Sequence, residues 1–583
     1  MGVTPGRPEP PRFGRRIGPV AERFTVIGEG EIGGKAAGLA LLWDAVATRF
    51  DAAAFPWADV DIPRLSVVAT GVYEAFVERN GLGDLAASDL ADERIAHAFQ
   101  RADLPAEVVG DLKALIDQTT RPLAVRSSSL LEDALYRPFA GVYGTKMIPN
   151  NQPERDTRFH RLVEAIKFVY SSTWFRGAKD YLRAAGRAQG EERMAVVLQE
   201  VVGDRRGERY YPDLSGVARS FNFFPMGKAR PEEGVVTLAL GLGRTIVEGG
   251  SAWSYSPAHP KSAPPFGSPG DMVEGTQLGF WSVNLSRPPV YDPTAETEYL
   301  LRSDLAAAEA DGTLDLLAST YDAGADRLRP GLGTAGPRVL TFAPLLVHRE
   351  YPLNDLIVAV LRLCEEAAEA EVEIEFAATF PPRRDGRVRF ALLQVRPMVA
   401  AEDRIEIAEE EMQGPSVLLA SRRAVGNGRR DDLADIVYVK PQAFEARHSR
   451  AIAAEVDQVN RSLAEAGLGY LLIGFGRWGS ADPWLGIPVN WAQIAGARAI
   501  VEASLPNMNV EPSQGSHFFH NLTSFGVSYL TVPLGAAPGI DWAWLDAQPA
   551  AADLTFVRHV HLERPLRLAV DGRGGRAAAW HSA

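Results

Sequence analysis

Val372-Glu373-Ile374-Glu375-Phe376 is followed, beyond a turn signal at Asp385-Gly386, by Phe390-Ala391-Leu392-Leu393-Gln394-Val395-Arg396. Side chains alternate along a strand, so Val372, Ile374 and Phe376 share one face and Glu373 and Glu375 the other. On the returning segment Gln394 and Arg396 also share a face. Paired as a hairpin, the two segments gather two carboxylates, an amide and an arginine on one patch. Two readings suit that patch. One is an amphipathic hairpin with a solvent-facing salt bridge. The other is a magnesium site, because proteins hold magnesium with one or two carboxylates and leave the remaining positions to substrate phosphates.

Working upstream, Leu123-Ala124-Val125-Arg126-Ser127-Ser128-Ser129 is a short apolar strand that delivers an arginine and then three hydroxyls. Ser129 with Glu132 fits a capping box, so the serines can be read as a helix start. That leaves Arg126 unexplained at the end of a buried strand, where a planar guanidinium suits phosphate through two parallel hydrogen bonds. Further upstream, Gly28-Glu29-Gly30-Glu31-Ile32-Gly33-Gly34-Lys35 is a glycine-rich turn after the strand candidate Thr25 to Gly28. The helix that follows, Gly34 to Phe50, has Leu39, Leu42, Trp43 and Val46 at helical spacing. Lys35 in its first turn opposes the helix dipole, as a solvated lysine or as one that meets polyphosphate. The spacing is not that of a P-loop, since alanine follows the lysine.

The 583 residues exceed one ordinary core, and a 46% hydrophobic fraction supports two to four lobes. A formal net charge of -13 disfavours a general nucleic-acid or acidic-membrane binder and leaves room for a local basic pocket. The single cysteine, Cys364, cannot pair within the chain, so the fold needs no oxidising compartment. No stretch approaches the roughly 20 apolar residues of a membrane span. A cytoplasmic protein is expected, without membrane or nucleic-acid partners. Residues 1–20, with five prolines and four arginines, read as a disordered arm. Met194 to Val202 and Val235 to Leu240 have strand character, and Arg161 to Ala185 and Asp355 to Ala370 read as helices. Stretches 257–270 and 329–337 read as surface loops, and the acidic run Glu402 to Glu411 marks a boundary.

In kind and order these segments resemble the ATP-grasp nucleotide-binding domain shared by phosphoenolpyruvate synthase, pyruvate phosphate dikinase and rifampin phosphotransferase. That family begins with a glycine-glycine-lysine turn, continues with valine-arginine-serine-serine and then a glutamine-bearing hinge strand, here Ala195-Val196-Val197-Leu198-Gln199-Glu200. Ser215-Gly216-Val217 follows, and the carboxylate-x-glutamate and leucine-glutamine-x-arginine-proline strands close the domain. The resemblance covers residues 24–400. It implies an α+β or α/β multi-lobed fold, with an ATP-grasp domain over 21–401 and a smaller mixed α/β domain over 402–583. It also implies that Lys35, Arg126 and Arg396 contact the phosphates of ATP, the two arginines catalytically. Gln199 and Glu200 border the nucleotide, Glu373 and Glu375 bind Mg2+, and Gln394 helps hold the nucleotide-metal complex. Two positions depart from the pattern. Glu373 stands where aspartate is frequent, and Arg244 in Gly241-Leu242-Gly243-Arg244 stands where synthases carry glutamate; Glu248 is a candidate substitute.

The implied activity is ATP- and Mg2+-dependent phosphotransfer to a histidine or to a small-molecule acceptor, with a small-molecule substrate or a separate phosphocarrier protein as partner. Two alternatives stand beside it: a nucleotide-binding sensor or scaffold without turnover, and the nucleotide half of a split dikinase. After residue 402 about 180 residues follow, fewer than the roughly 250 of an eight-stranded barrel of the kind that binds pyruvate in the dikinases. No histidine lies in the glycine-glycine-x-x-serine-histidine-alanine setting of the family. A complete phosphoenolpyruvate synthase is therefore not expected. The tail carries Ile473-Gly474-Phe475-Gly476-Arg477-Trp478-Gly479-Ser480-Ala481-Asp482-Pro483-Trp484 and Gln514-Gly515-Ser516-His517-Phe518-Phe519-His520-Asn521. These read as a turn-rich core filled by tryptophans, or as a site in which His517 accepts a phosphoryl group or acts as base. His520 three residues on makes a metal pair a further alternative.

Overall fold

Phe24–Ile27 (β1) opens the fold as a run of aromatic and β-branched residues with Phe24 and Ile27 buried on opposite faces. The computed structural model of the chain describes residues 10–581 apart from 16–22, 86–87, 131–141, 185–191, 224, 226–227, 249, 263–267, 287–288, 383–385, 399–404, 481, 507, 509 and 511–526. After β1 the glycine turn leads into Gly33–Arg49 (α1), which buries Ala36, Leu39, Leu42 and Ala45 at helical spacing. Each leucine contributes about 1.5–3 kcal/mol by leaving water. The chain then makes Ala58–Asp61 (β2), Leu65–Val68 (β3), Thr70–Arg79 (α2), Leu123–Ser129 (β4) and Thr145–Ile148 (β5). Arg155–Ser172 (α3), Arg176–Ala184 (α4) and Met194–Glu200 (β6) follow. The first sheet has the order β1-β3-β6-β4-β5. Only β1 and β3 run parallel in it.

A second sheet faces α1. Its strands are Leu214–Arg219 (β7), Val235–Leu240 (β8), Trp253–Tyr255 (β9), Val372–Thr379 (β10) and Val388–Pro397 (β11), in the order β9-β8-β7-β10-β11-β2. Leu353–Ala368 (α5) packs on α1 and β10. One apolar cluster joins Leu39 and Leu42 of α1, Val67 and Val197 of the first sheet, and Ile374 and Val395 of the second. Two sheets thus share a helix-filled core, with a polar cleft where β4 of the first meets β10 and β11 of the second. Two small antiparallel sheets, of four and three strands, are built from residues between 204 and 340.

Residues 417–580 form a nine-stranded sheet of their own. Its elements are Val417–Ser421 (β12), Ala424–Val425 (β13), Asn427–Val439 (β14), Ser449–Glu465 (α6), Tyr470–Phe475 (β15), Ala497–Ala503 (β16), Ser528–Val532 (β17), Ala550–Asp553 (β18), Val557–Asp571 (β19) and Arg576–Trp580 (β20). The order is β12-β20-β19-β14-β15-β16-β17-β13, with β18 paired to β19. β14 to β17 are parallel in the centre, and the remaining pairings are antiparallel. Near-continuous apolar runs such as Tyr470–Phe475 suit strands buried on both faces. An apolar cluster runs without interruption from Ile27 and Val125 of the first sheet to Val437 and Val557 of this one and to Ile494 of the turn Trp491–Ile494.

Several expectations change. Residues 11–13 of the expected disordered arm lie along β1: Phe13 donates its N–H to the Val26 carbonyl at 2.8 Å, and Val26 donates to the Pro11 carbonyl at 3.0 Å. Backbone pairing and the packing of Phe13 against the core hold the segment there. The helix expected over Arg161 to Ala185 is two helices, α3 and α4, because the chain turns at Thr173, Trp174 and Phe175. Part of the loop expected at 329–337 is strand, since Arg327–Pro330 pairs with Ala318–Asp322. The serines after Arg126 do not start a helix. Ser127 to Ser129 stay in β4, paired with Val196, Ala195 and Met194, and Ser129 gives its hydroxyl to Glu192. Glu132, the other half of the expected capping box, lies outside the described residues.

Candidate functional site

Arg126 is where the two sheets meet. It leaves β4 of the first sheet, and all its acceptors but one lie on the second. Nη1 donates to Gln199 Oε1 on β6 at 3.3 Å and to the Leu393 carbonyl on β11 at 3.1 Å. Nη2 donates to Gln394 Oε1 at 2.6 Å and to Glu375 Oε2 at 3.3 Å. The hairpin of β10 and β11 pairs Glu373 with Arg396, Ile374 with Val395 and Glu375 with Gln394.

The register then shifts, since Phe376 pairs with Leu392 and Leu393 is left without a partner. This bulge reverses the inward face of β11. Phe390 and Leu392 point to the core on one side of it and Val395 on the other. Gln394 and Arg396 are thereby turned onto the face of the two glutamates, and the Leu393 carbonyl goes to Arg126. Re-aiming a side chain beside a site is a common use of a bulge.

Lys35 arrives from the other side. Its Nζ lies 3.0 Å from Ser127 Oγ, one residue along β4 from Arg126, and Lys35 is buried. The helix that carries it is anchored by the next serine: Ser128 Oγ accepts from the Ala36 N–H at 3.1 Å and donates to the Ile32 carbonyl at 2.8 Å. A strand hydroxyl thus does what an N-cap side chain would do, and Ile32 makes no such bond. Gly33 makes the approach possible. Its φ is +75°, and a Cβ there would lie 1.8 Å from the Ser128 carbonyl oxygen.

Glu373 has a different environment from Glu375. It is 2% exposed. Arg219 on β7, its register partner, donates Nε to Glu373 Oε2 at 2.5 Å, and Arg396 donates Nε to Oε1 at 2.8 Å and contacts it again through Nη2. Each carboxylate oxygen is therefore held by a guanidinium, and the magnesium-ligand role expected of Glu373 does not fit this geometry. Glu375 and Gln394 do fit one. Their oxygens converge on a single nitrogen, Arg126 Nη2, and they are hard neutral and anionic donors of the kind magnesium takes. Among the described residues no group of three or more His, Cys, Asp or Glu is arranged to hold a metal. A cation at Glu375 and Gln394 would draw its remaining ligands from phosphate and water.

Among the described residues four cations, Lys35, Arg126, Arg219 and Arg396, are gathered here with two carboxylates, Glu373 and Glu375. Gln199 is 2% exposed, and its Nε2 has no partner among the described residues, which leaves an unused donor beside Arg126. Glu200 is turned away from the cleft, accepting from Thr119 Oγ1 at 2.7 Å and lying 3.8 Å from Arg121. Arg244 is neutralised locally by Glu248 at 2.7 Å and Glu296 at 3.4 Å. His517 and His520 lie outside the described residues.

Residues 29–268 match the family model described as pyruvate phosphate dikinase, AMP/ATP-binding domain. This stretch is a nucleotide-binding domain of the pyruvate phosphate dikinase family. Lys35, Arg126, Gln199, Glu200 and Arg219 lie within the matched residues of the dikinase-type domain. Glu373, Glu375, Gln394 and Arg396 lie beyond them and join it through Arg126 and Arg219. The fold class is mixed α/β, an ATP-grasp-type nucleotide-binding domain with further α/β structure after it. Arg219 and Ser127 were not singled out from sequence. The signal for Arg219 was available, because Ser215, Val217 and Arg219 alternate on one face of the segment that carries the Ser-Gly-Val motif.

Proposed function

We propose that the chain is an ATP- and Mg2+-dependent phosphotransferase of dikinase type that passes a phosphoryl group to a histidine or to a small-molecule acceptor. The reading is carried by one observation: Arg126 of the first sheet holds Glu375 and Gln394 of the second, with Lys35 beside it on Ser127. Phosphoryl transfer asks a protein mainly for positioning and charge neutralisation, and this cluster supplies both. Lys35 offers a compact cation and Arg126 a planar fork for phosphate oxygens. Phosphate that competes for Arg126 would release two oxygen donors, Glu375 and Gln394, at one point. Magnesium bound there would supply neutralisation of charge on the transferring phosphoryl group.

Arg396 is held in place by Glu373, which fixes the guanidinium along β11. Gln199 Nε2 offers its unused donor to an acceptor atom of the nucleotide. Glu248 and Glu296 ion-pair with Arg244, so this arginine is not counted among the phosphate contacts. The partner in this reading is a small-molecule substrate or a separate phosphocarrier protein. Among the described residues no helix is long and apolar enough to cross a membrane.

The test is incubation of the purified chain with magnesium and ATP labelled separately at the β and γ positions. AMP with β-label retained on protein supports a dikinase cycle, and ADP with transfer to an acceptor supports direct kinase chemistry. ATP binding without either product, even after addition of cell extract, would sink the phosphotransferase reading and leave a nucleotide sensor.

A further inference from the structure

Asp435 on β14 and His559 and His561 on β19 form a constellation outside the nucleotide cleft. Asp435 is 1% exposed and pairs in register with His561. His559 lies two residues earlier on the same face of β19. Both rings reach one atom: His559 Nε2 is 2.7 Å and His561 Nδ1 3.0 Å from Asp435 Oδ1. With the Asp435 oxygen as acceptor, each of these nitrogens is assigned the proton of its ring. The lone pair of neutral His561 therefore sits on Nε2. That atom makes no hydrogen bond to a described residue.

The two histidines differ in access. The side chain of His559 is 13% exposed and that of His561 55%. β18 pairs with β19 only at 558–560 and β20 only at 567–571, so among the described residues no strand covers His561 on the side away from β14. A general base works inside a pocket that holds its substrate. A phosphoryl carrier must instead be reached by a donor and later by an acceptor, and an outward imidazole with its far nitrogen held by a buried carboxylate meets that need.

We infer that His561 Nε2 is a phosphoryl acceptor, with Asp435 as its positioning residue and a nucleoside triphosphate held by the N-terminal domain as donor; the donor half of this inference rests on the function proposed above. The Nε2 lone pair attacks phosphorus and an N–P bond forms. The bond from phosphorus to the bridging oxygen breaks, and the nucleotide leaves with that electron pair. The Nδ1 proton stays on the ring, where Asp435 offsets the positive charge that the ring acquires.

The experiment incubates the full chain with magnesium and labelled ATP and, in parallel, with phosphoramidate, which needs no nucleotide site. Acid-labile, alkali-stable label is mapped by mass spectrometry, and ATP binding is measured separately by calorimetry. Phosphohistidine at position 561 is expected with both donors, in excess over the exposed His97 and His348. Asp435→Asn is expected to slow labelling by about 10–100-fold, the scale seen when a carboxylate that orients an imidazole is lost. In that variant nitrogen NMR would show the His561 proton redistributed between its two nitrogens, which a purely structural role for Asp435 would not require. Failure to bind ATP, with 561 still the preferred site for phosphoramidate, would refute the nucleotide reading and keep the histidine. Label at another residue from both donors, or no acid-labile label from either, would overturn the inference.

Discussion

Arg126 and Gln394, 268 residues apart in the chain, are joined by a hydrogen bond of 2.6 Å that runs from one sheet to the other. The guanidinium donates to two strands of the second sheet and one of its own, so its loss unties the two sheets and, in the proposed function, removes a phosphate contact as well. Arg126→Ala should lower ATP turnover by about 100-fold or more, on the scale of a lost charge-stabilising donor. Arg126→Lys should recover little of it, because an ammonium cannot reproduce the fork. Steady-state kinetics of both variants would check this; near-wild-type turnover in the lysine variant would argue against a forked contact.

Glu373 and Glu375 should separate in their effects. Glu373→Ala leaves Arg219 and Arg396 buried without their carboxylate and should cost about 3–5 kcal/mol of stability. Glu375, whose side chain is 17% exposed, pairs with Arg126 at 3.3 Å, and Glu375→Gln should stay within about 1 kcal/mol of wild type. Its effect should fall instead on the magnesium dependence of ATP binding. Urea unfolding and magnesium titrations under fixed ATP give the two readouts, and a reversed pattern would exchange the roles.

Gly33→Ala places a Cβ against the Ser128 carbonyl in a backbone conformation that side-chain-bearing residues avoid. Either α1 shifts or β4 does, and in both cases Lys35 leaves Ser127. ATP affinity should fall at least tenfold, as measured by calorimetry. Unchanged affinity would mean that Lys35 is not a nucleotide contact.

Asp213 gives a pH dependence. Burial pushes its carboxyl up to about 6, against the lowering effects of Arg206 and of the Phe380 N–H that donates to it at 2.7 Å. The folded state therefore keeps this proton after the unfolded chain, with an ordinary value of 3.8, has released it. Stability falls as pH rises from about 4 to about 6 and then levels, with a total of about 3 kcal/mol for this group. Comparing urea midpoints of wild type and Asp213→Asn at pH 4, 5 and 7 isolates it, since the variant should lack this component. Equal slopes for the two proteins would rule it out.

The main elements of the N-terminal part were legible because their side chains announce them. α1 shows its apolar spacing, β4 and β6 their apolar runs, and the hairpin its alternating glutamates. The bulge was not legible. Strict alternation from Phe390 and Leu392 would send Gln394 into the core, and only the extra residue Leu393 turns it toward Glu375. Ser128 as the anchor of α1 was hidden for another reason: a capping hydroxyl is sought just before a helix, and this one comes from a strand 96 residues away. The pairing of Asp435 with two histidines was equally hidden, because His559 and His561 show strand spacing but nothing local names the strand beside them. Glu200 shows the converse, a residue placed at the cleft by its motif whose alternation turns it to the opposite face of β6.

The apolar cluster that runs from the first sheet into the nine-stranded one has a consequence in time. Ala178 and Leu182 of α4 are buried in it, and α4 packs on the turn Trp491–Ile494. A ribosome that adds about 5–20 residues per second delivers that turn roughly 15–60 s after α4. Throughout that interval the nascent N-terminal domain carries a sticky, uncovered flank. The late strands are therefore what shelters the early ones from aggregation, and a slow or interrupted translation of the second half would be felt first in the solubility of the first.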